Sequence, residues 1–114
     1  MKDDRFYLVH ITECVGRVVD YTKDGKGFFL SDTKTQDAVI RNLQIMAESS
    51  QRVSDALKSK HPLLDWRGLS GFRNVLVHGY FGVDLARIWE IIENQIPHIK
   101  RQVENMLEEL DTAP

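Results

Sequence analysis

Apolar residues recur along this sequence at alternating steps of three and four, and this spacing most limits the folds open to the chain. In residues 5–22 the series runs Leu8, Ile11, Val15 and Val18. It places one apolar stripe along a helix, because an α-helix has about 3.6 residues per turn. No run of four or more residues alternates between apolar and polar side chains as a half-buried strand does. The sequence therefore predicts an all-α fold.

A turn and a connector are predicted to follow this first helix. Residues 24–27 include two glycines, whose backbone freedom should end the helix. The next residues, Phe28, Phe29 and Leu30, are predicted to form a short apolar connector folded over the end of the core. A second, longer helix should then begin near Ser31–Thr33.

The second helix has two candidate N-caps. Thr33 and Gln36 have the spacing of a capping box, and Asp32 is a competing cap. The apolar spacing then continues for about seven turns. Its members are Val39, Leu43, Met46, Ser50, Val53 and Leu57. Pro62 should stop the helix, because proline has no N–H and its ring clashes with the preceding turn.

Two further helices are predicted in the second half of the chain. Asp65 is the predicted N-cap of the third helix. Its buried face consists of Trp66, Leu69, Phe72, Leu76 and Val77. Gly68 and Gly71 each weaken this helix by about 1 kcal/mol relative to alanine, which favours either a close helix–helix approach or a local irregularity. The fourth helix should start at Asp84, and Pro97 should kink or briefly break it.

These four helices predict one domain over residues 1–114, folded as an antiparallel helical bundle. In the fourth helix, Trp89 and Ile91 widen the apolar surface beyond what one contact within the bundle needs. A wide exposed apolar face is typical of a protein interface. We therefore predict a symmetric homodimer.

Composition excludes several classes of protein. No apolar run approaches the roughly 20 residues needed to cross a bilayer, and the N-terminus lacks the apolar core of a signal peptide. Cys14 is the only cysteine, which excludes an intramolecular disulfide, and its place beside the first stripe favours a small core residue. The four histidines lack paired metal-ligand spacing. We expect a cytoplasmic protein that binds no metal ion and no membrane.

The net charge of −2 conceals a basic middle segment. Residues 51–83 hold 5 Lys/Arg against 2 Asp/Glu, whereas residues 84–114 hold 3 against 7. Contact with a nucleic acid would therefore be local. The candidate contacts to an RNA backbone are Arg52, Lys58, Lys60 and Arg67. A solvated helix end explains the lysines equally well.

The groups capable of chemistry are concentrated in residues 71–81. Arg73, Asn74, His78 and Tyr80 lie within eight positions, at the end of an otherwise apolar helix. Burying such polar groups without partners costs roughly several kcal/mol of free energy, so their clustering indicates a function. Gly79 suits the left-handed position just past a helix end, which would make His78 the last helical residue.

Each of these residues also has a structural explanation. His78 could cap the helix, and Tyr80 could pack on the core as part of a connector. Arg73 could pair with an acid such as Glu48 or Asp84.

The same residues fit cleavage of RNA by its own 2′-OH group. This reaction needs a general base, a general acid and positive charge at the phosphorane. A histidine can serve as acid or base, and an arginine fork can hold two phosphate oxygens. One histidine and one arginine are few for this reaction, and a two-fold dimer with both copies in one cleft would supply two of each.

At these positions the sequence resembles a known family. Arg73, His78 and Tyr80 reproduce the Arg-x4-His-x-Tyr motif of HepT-like toxins, which belong to the HEPN superfamily of small helical ribonucleases. Asn74, directly after the arginine, also matches the superfamily pattern. Residues 36–43 resemble the second helix of that family, and residues 62–74 resemble its approach to the active site.

The resemblance implies a HEPN-like bundle of four to five helices and a homodimer with the active site in the interface cleft. It implies a metal-independent endoribonuclease toxin with Arg73, Asn74 and His78 as catalytic residues, and no cofactor of its own. It also implies a partner, an MNT-type nucleotidyltransferase antitoxin that transfers AMP from ATP to Tyr80. The added phosphate, beside Arg73 and His78, would compete for the site of the scissile phosphate.

Two other functions remain open. The chain could be a non-catalytic helical interaction subunit of a nucleotidyltransferase, with Tyr80 in docking and His78 in structure. It could also bind a nucleotide without cleaving RNA. Toxicity that depends on His78 would favour the enzyme, and ATP binding by the isolated chain would favour the nucleotide-binding protein.

Overall fold

The computed structural model describes residues 3–78 and 83–112, apart from the side chains at 77 and 78. Its elements are α1 (Asp4–Tyr21), α2 (Lys26–Ser31), α3 (Thr33–Arg52), α4 (Asp55–Lys60), α5 (Trp66–His78), α6 (Leu85–Asn94) and α7 (Ile96–Thr112). No strand occurs in these two ranges. The all-α prediction is confirmed.

The long helices form the body of an antiparallel bundle. α1 packs against both α3 and α7, and α3 packs on its other side against α5. The start of α1 meets the end of α7, where Arg5 Nε donates to Asp111 Oδ1 at 2.9 Å. Asp4 similarly contacts Ser54, just past the end of α3. These end-to-start contacts show that α1 runs antiparallel to each neighbour.

The core contains the predicted stripe of the first helix, and all four of its members are at most 1% exposed. Complete burial of an aliphatic side chain stabilises the fold by about 1.5–3 kcal/mol. Cys14 lies in the same core at 2% exposure. The predicted role as a core residue is therefore confirmed. The same burial raises the pKa of the thiol above its ordinary value.

The segment expected to be an apolar connector is the short helix α2. Gly25 precedes α2 with a backbone φ of 94°, a conformation that residues with a Cβ atom rarely adopt. Phe29 is fully buried, but Phe28 and Leu30 remain 46% and 39% exposed. A helix turns only one of three consecutive side chains toward a neighbour, so only Phe29 covers the core.

The second predicted helix begins as expected but ends early. The Asp32 carboxylate accepts from Thr35 N at 3.1 Å, so Asp32 is the N-cap of α3 and Thr33 is not. The prediction of one helix up to Pro62 is wrong, because α3 ends at Arg52 and a separate helix, α4, begins at Asp55.

Ser54 explains this break. Its N–H donates to Asp4 Oδ1 at 2.7 Å and its hydroxyl donates to Asp4 Oδ2 at 2.6 Å. The same hydroxyl oxygen caps α4 by accepting from Leu57 N at 3.2 Å. Val53 and Leu57 both stay in the core, so the interruption keeps the apolar stripe buried.

The third predicted helix starts after its predicted cap, Asp65, and the fourth starts beside Asp84, where it was expected to begin. Asp65 Oδ1 accepts from Gly68 N at 2.9 Å, and Asp84 accepts from the N–H groups of Ala86 and Arg87. The chain is briefly broken at Gln95, and Pro97 lies in the first turn of α7, where a missing N–H costs little. The break predicted for Pro97 is confirmed, whereas the cap predicted at Gly79 lies outside the described residues.

The two glycines of α5 have different surroundings. A Cβ at Gly68 would overlap the carboxylate of Asp65, whereas a Cβ at Gly71 would meet nothing within 4 Å. Gly68 therefore makes room for the helix cap. Outside its own helix, no described part of the chain approaches Gly71 closely. None of the described helices is long and apolar enough to cross a membrane.

These surroundings predict different effects of the same substitution at the two positions. Gly71→Ala should raise the free energy of unfolding by about 1 kcal/mol through helix propensity alone. Gly68→Ala should lack this gain, because the new methyl group disturbs the cap. Urea unfolding of both variants is the measurement. Destabilisation by Gly71→Ala would show that another surface occupies this position.

Candidate active site

Helix α5 carries most of the predicted site and turns one face outward. Leu69 and Leu76 are buried, at 8% and 3% exposure. Arg67, Gly71 and Asn74 follow one another at steps of four and three, and all three are exposed. Position 78 follows Asn74 by four residues along α5. Of the predicted catalytic residues on this helix, Asn74 therefore lies on the outer face.

Arg73 lies beside this outer face, against α3. Its Nε is 3.6 Å from Glu48 Oε1, and its Nη1 donates to Asn74 Oδ1 at 3.5 Å. The side chain is 31% exposed. Glu48 is thus the partner of Arg73, and Asp84 instead caps α6. The structure brings together Arg73, Asn74 and Glu48.

Glu48 is itself held by a neighbour on its own helix. Gln44 Nε2 donates to Glu48 Oε1 at 3.4 Å. The role of Gln44 was not predicted from the sequence. The signal was present in the spacing, since residues four apart on a helix are neighbours.

The Nε atom of Arg73 has an unusual environment. It is buried and has no hydrogen-bond partner among the described residues, although the Glu48 carboxylate is only slightly beyond bonding distance. The guanidinium is planar, with donors along distinct edges. With the Nε edge toward Glu48, the terminal nitrogens remain to bind an anion such as a phosphate.

The predicted constellation of Arg73, His78 and Tyr80 is described only in part. Residue 78 is the last residue of α5. The side chain of His78 and the whole of Tyr80 lie outside the described residues, so their placement relative to Arg73 stays a prediction.

The four candidate RNA contacts occupy different places. Arg52 ends α3, and the two lysines lie on α4. Lys58 Nζ donates to Gln51 O at 3.4 Å and lies 5.8 Å from the centre of the Trp66 ring, so it has a structural role at the helix end. Arg67 alone of the four belongs to α5, on the outer face with Asn74. Lys60 is exposed and is the last residue of α4.

A groove of about 640 Å³ lies between α5, α6 and α7. Its apolar lining includes Phe72, Val75 and Ile91. Val75, which lines this groove, is 58% exposed. Trp89 was predicted to widen such a surface, but its ring lies 5.6 Å from that of Phe29 and so covers the core instead.

No group of three His, Cys, Asp or Glu residues within residues 3–78 and 83–112 could hold a metal ion.

Known proteins give an independent comparison. The family described as Ribonuclease HepT-like matches residues 11–106. A protein of Thermococcus cleftensis named "Probable ribonuclease HepT" is 37% identical over 101 residues, which cover 88% of this chain and 92% of that protein. Two Methanocaldococcus jannaschii proteins that are provisionally named RNases are also similar. One is 35% identical over 90% of this chain and 95% of its own length, and the other 33% identical over 96% and 92%. No solved structure matches the chain with significance.

Proposed function

The chain belongs to the HepT-like ribonuclease family, and from this we propose that it is a metal-independent endoribonuclease, the toxin of a toxin–antitoxin pair. One observation carries the proposal. Arg73 is held between Glu48 and Asn74, and Asn74 lies on the exposed face of α5. This arrangement suits the binding of a phosphate group.

The proposed reaction is cleavage by the RNA's own 2′-OH group. A base removes the 2′-OH proton as the oxygen attacks the adjacent phosphorus, and an acid protonates the departing 5′ oxygen. His78 supplies acid–base catalysis, and Arg73 stabilises the negative charge on the phosphorane. Asn74 positions the phosphate. No step requires a metal ion or a cofactor.

A homodimer would complete this site. One chain has a single histidine in the motif, whereas the reaction needs both an acid and a base. Val75 lies three residues before His78, so the two positions are neighbours on the helix surface. A second copy seated on the groove beside Val75 would cover this exposed side chain and bring two motifs into one cleft.

Among the basic residues, Arg67 is best placed to contact the RNA backbone. It shares the outer face of α5 with Asn74, and its side chain is exposed. Arg52 ends α3, and Lys58 and Lys60 lie on α4, so none of the three belongs to the helix that carries the motif.

We also propose control by a nucleotidyltransferase antitoxin. The Tyr80 hydroxyl attacks the α-phosphorus of ATP, a new phosphodiester bond forms, and pyrophosphate leaves. The tyrosine is two residues beyond the end of α5. Its AMP group would add a negative charge near Arg73 and compete with RNA.

The first test is cleavage of RNA by purified protein in EDTA. Arg73→Ala and His78→Ala should each lower the rate by about 100-fold or more, because they remove charge stabilisation or proton transfer. Arg17→Ala is the matched control, since Arg17 forms an exposed ion pair with Glu13 at 3.8 Å on α1. Intact RNA after incubation with folded, dimeric, unmodified wild-type chain would refute the enzyme. Harmless expression of wild type and His78→Ala alike would then favour the interaction subunit.

The second test concerns the dimer. Val75→Asp places a charge on the proposed interface and should shift the protein toward monomer in sedimentation velocity, with a matching loss of cleavage. Val19→Asp is the control, because Val19 is similarly exposed, at 50%, on α1. Equal dimerisation of both variants would locate the interface elsewhere.

The third test concerns modification. Incubation with the cognate antitoxin and ATP should add the mass of one AMP group to the peptide that contains Tyr80, and Tyr80→Phe should abolish the addition. Tyr21, which is 37% exposed, serves as an internal comparison. Modification at Tyr21 or at no tyrosine would contradict the proposal.

A further inference from the structure

We propose that Glu48 is a positioning residue for Arg73: it orients the guanidinium toward the phosphate of bound RNA without touching the RNA itself. This inference rests on the proposed ribonuclease function. It adds a residue on α3, outside the motif of α5, to the set on which the reaction depends.

The contacts form a chain across two helices. Gln44 donates to Glu48 Oε1 at 3.4 Å, and the same oxygen lies 3.6 Å from Arg73 Nε. Arg73 Nη1 in turn donates to Asn74 Oδ1 at 3.5 Å. Asn74 and Glu48 thus contact the guanidinium at different nitrogens. An arginine side chain has many rotamers when free, and contacts on two sides restrict it.

The buried Nε atom shows that this edge faces the protein. It has no hydrogen-bond partner in the described part of the chain, and a buried unpaired donor is costly. A shift of a few tenths of an ångström would bring the carboxylate within bonding distance. Closure of this contact satisfies Nε and leaves the terminal nitrogens available for phosphate oxygens.

Because the ion pair of Arg73 and Glu48 is partly buried, it should be stronger than an exposed ion pair. The side chains of Arg73 and Glu48 are 31% and 37% exposed, whereas the pair of Arg17 and Glu13 is exposed by 51% and 52%. Exposed pairs are screened by water and contribute little. The carboxylate also offsets part of the positive charge of Arg73, so Glu48 should weaken non-specific attraction of RNA while improving geometry.

These opposing effects predict a distinctive kinetic signature. Glu48→Gln keeps the size of the side chain but removes its charge. Misorientation of Arg73 should lower kcat by about 10- to 100-fold, because catalysis depends on exact placement. KM should stay the same or fall, since the site becomes more positive. Glu48→Asp, which keeps the charge on a shorter side chain, should recover part of kcat.

The control variant is Glu104→Gln. Glu104 pairs with Lys100 at 3.5 Å on α7, far along the chain from the motif, and its loss should leave both kinetic constants unchanged. Urea unfolding of each variant separates positioning from stability. A wild-type kcat in Glu48→Gln would overturn the proposal, as would a loss of kcat that merely follows the fraction of unfolded protein.

A second measurement does not depend on cleavage. In ¹⁵N NMR spectra the Nε–Hε group of Arg73, assigned through its absence in Arg73→Lys, should give a resolved signal with slow solvent exchange. Glu48→Gln should accelerate this exchange by about 10-fold or more, because the charge-assisted contact to Nε is lost. An unchanged signal would overturn the positioning role. If wild-type protein cleaves no RNA, the proposed function fails, and this signal alone decides whether Glu48 orients Arg73.

Discussion

Helix α3 is the constraint on which the rest of the structure depends, because it must pack on two sides at once. One side meets α1 and the other meets α5. Because both faces are buried, few polar side chains on α3 can be hydrated. The buried Asn42 and Ser50 side chains instead donate hydrogen bonds to backbone carbonyls of their own helix, Asn42 to Ala38 O at 2.9 Å and Ser50 to Ala47 O at 2.6 Å. Glu48, on the same helix, is only half-buried and reaches Arg73 instead. The position of the candidate site thus follows from how α3 fills its surroundings.

Local signals in the sequence predicted the helix starts well. Asp32, Asp65 and Asp84 all act through side-chain bonds to N–H groups two or three residues ahead, so the information lies within a few residues. The end of α3 was not predictable in this way. It depends on the bonds between Asp4 and Ser54, which are fifty residues apart in the chain.

In the candidate site, too, some features follow from local sequence and others depend on contacts between distant parts of the chain. The motif of Arg73, Asn74, His78 and Tyr80 could be read from residue types and spacing. The choice between Glu48 and Asp84 as the partner of Arg73 could not, because it depends on which helices pack together. Trp89 gives a further example: its apolar character was evident, but only the fold shows that it packs against Phe29.

The packing of α5 affects how the activity would depend on the amount of protein present. Among the described residues its main neighbour is α3, and its two glycines weaken the helix further. Elements with few buried contacts open locally at low cost in free energy. If a second copy stabilises this helix, the competent form depends on subunit concentration. The active fraction of the protein would then rise more steeply than its abundance, and a small excess of newly made chains would change activity disproportionately.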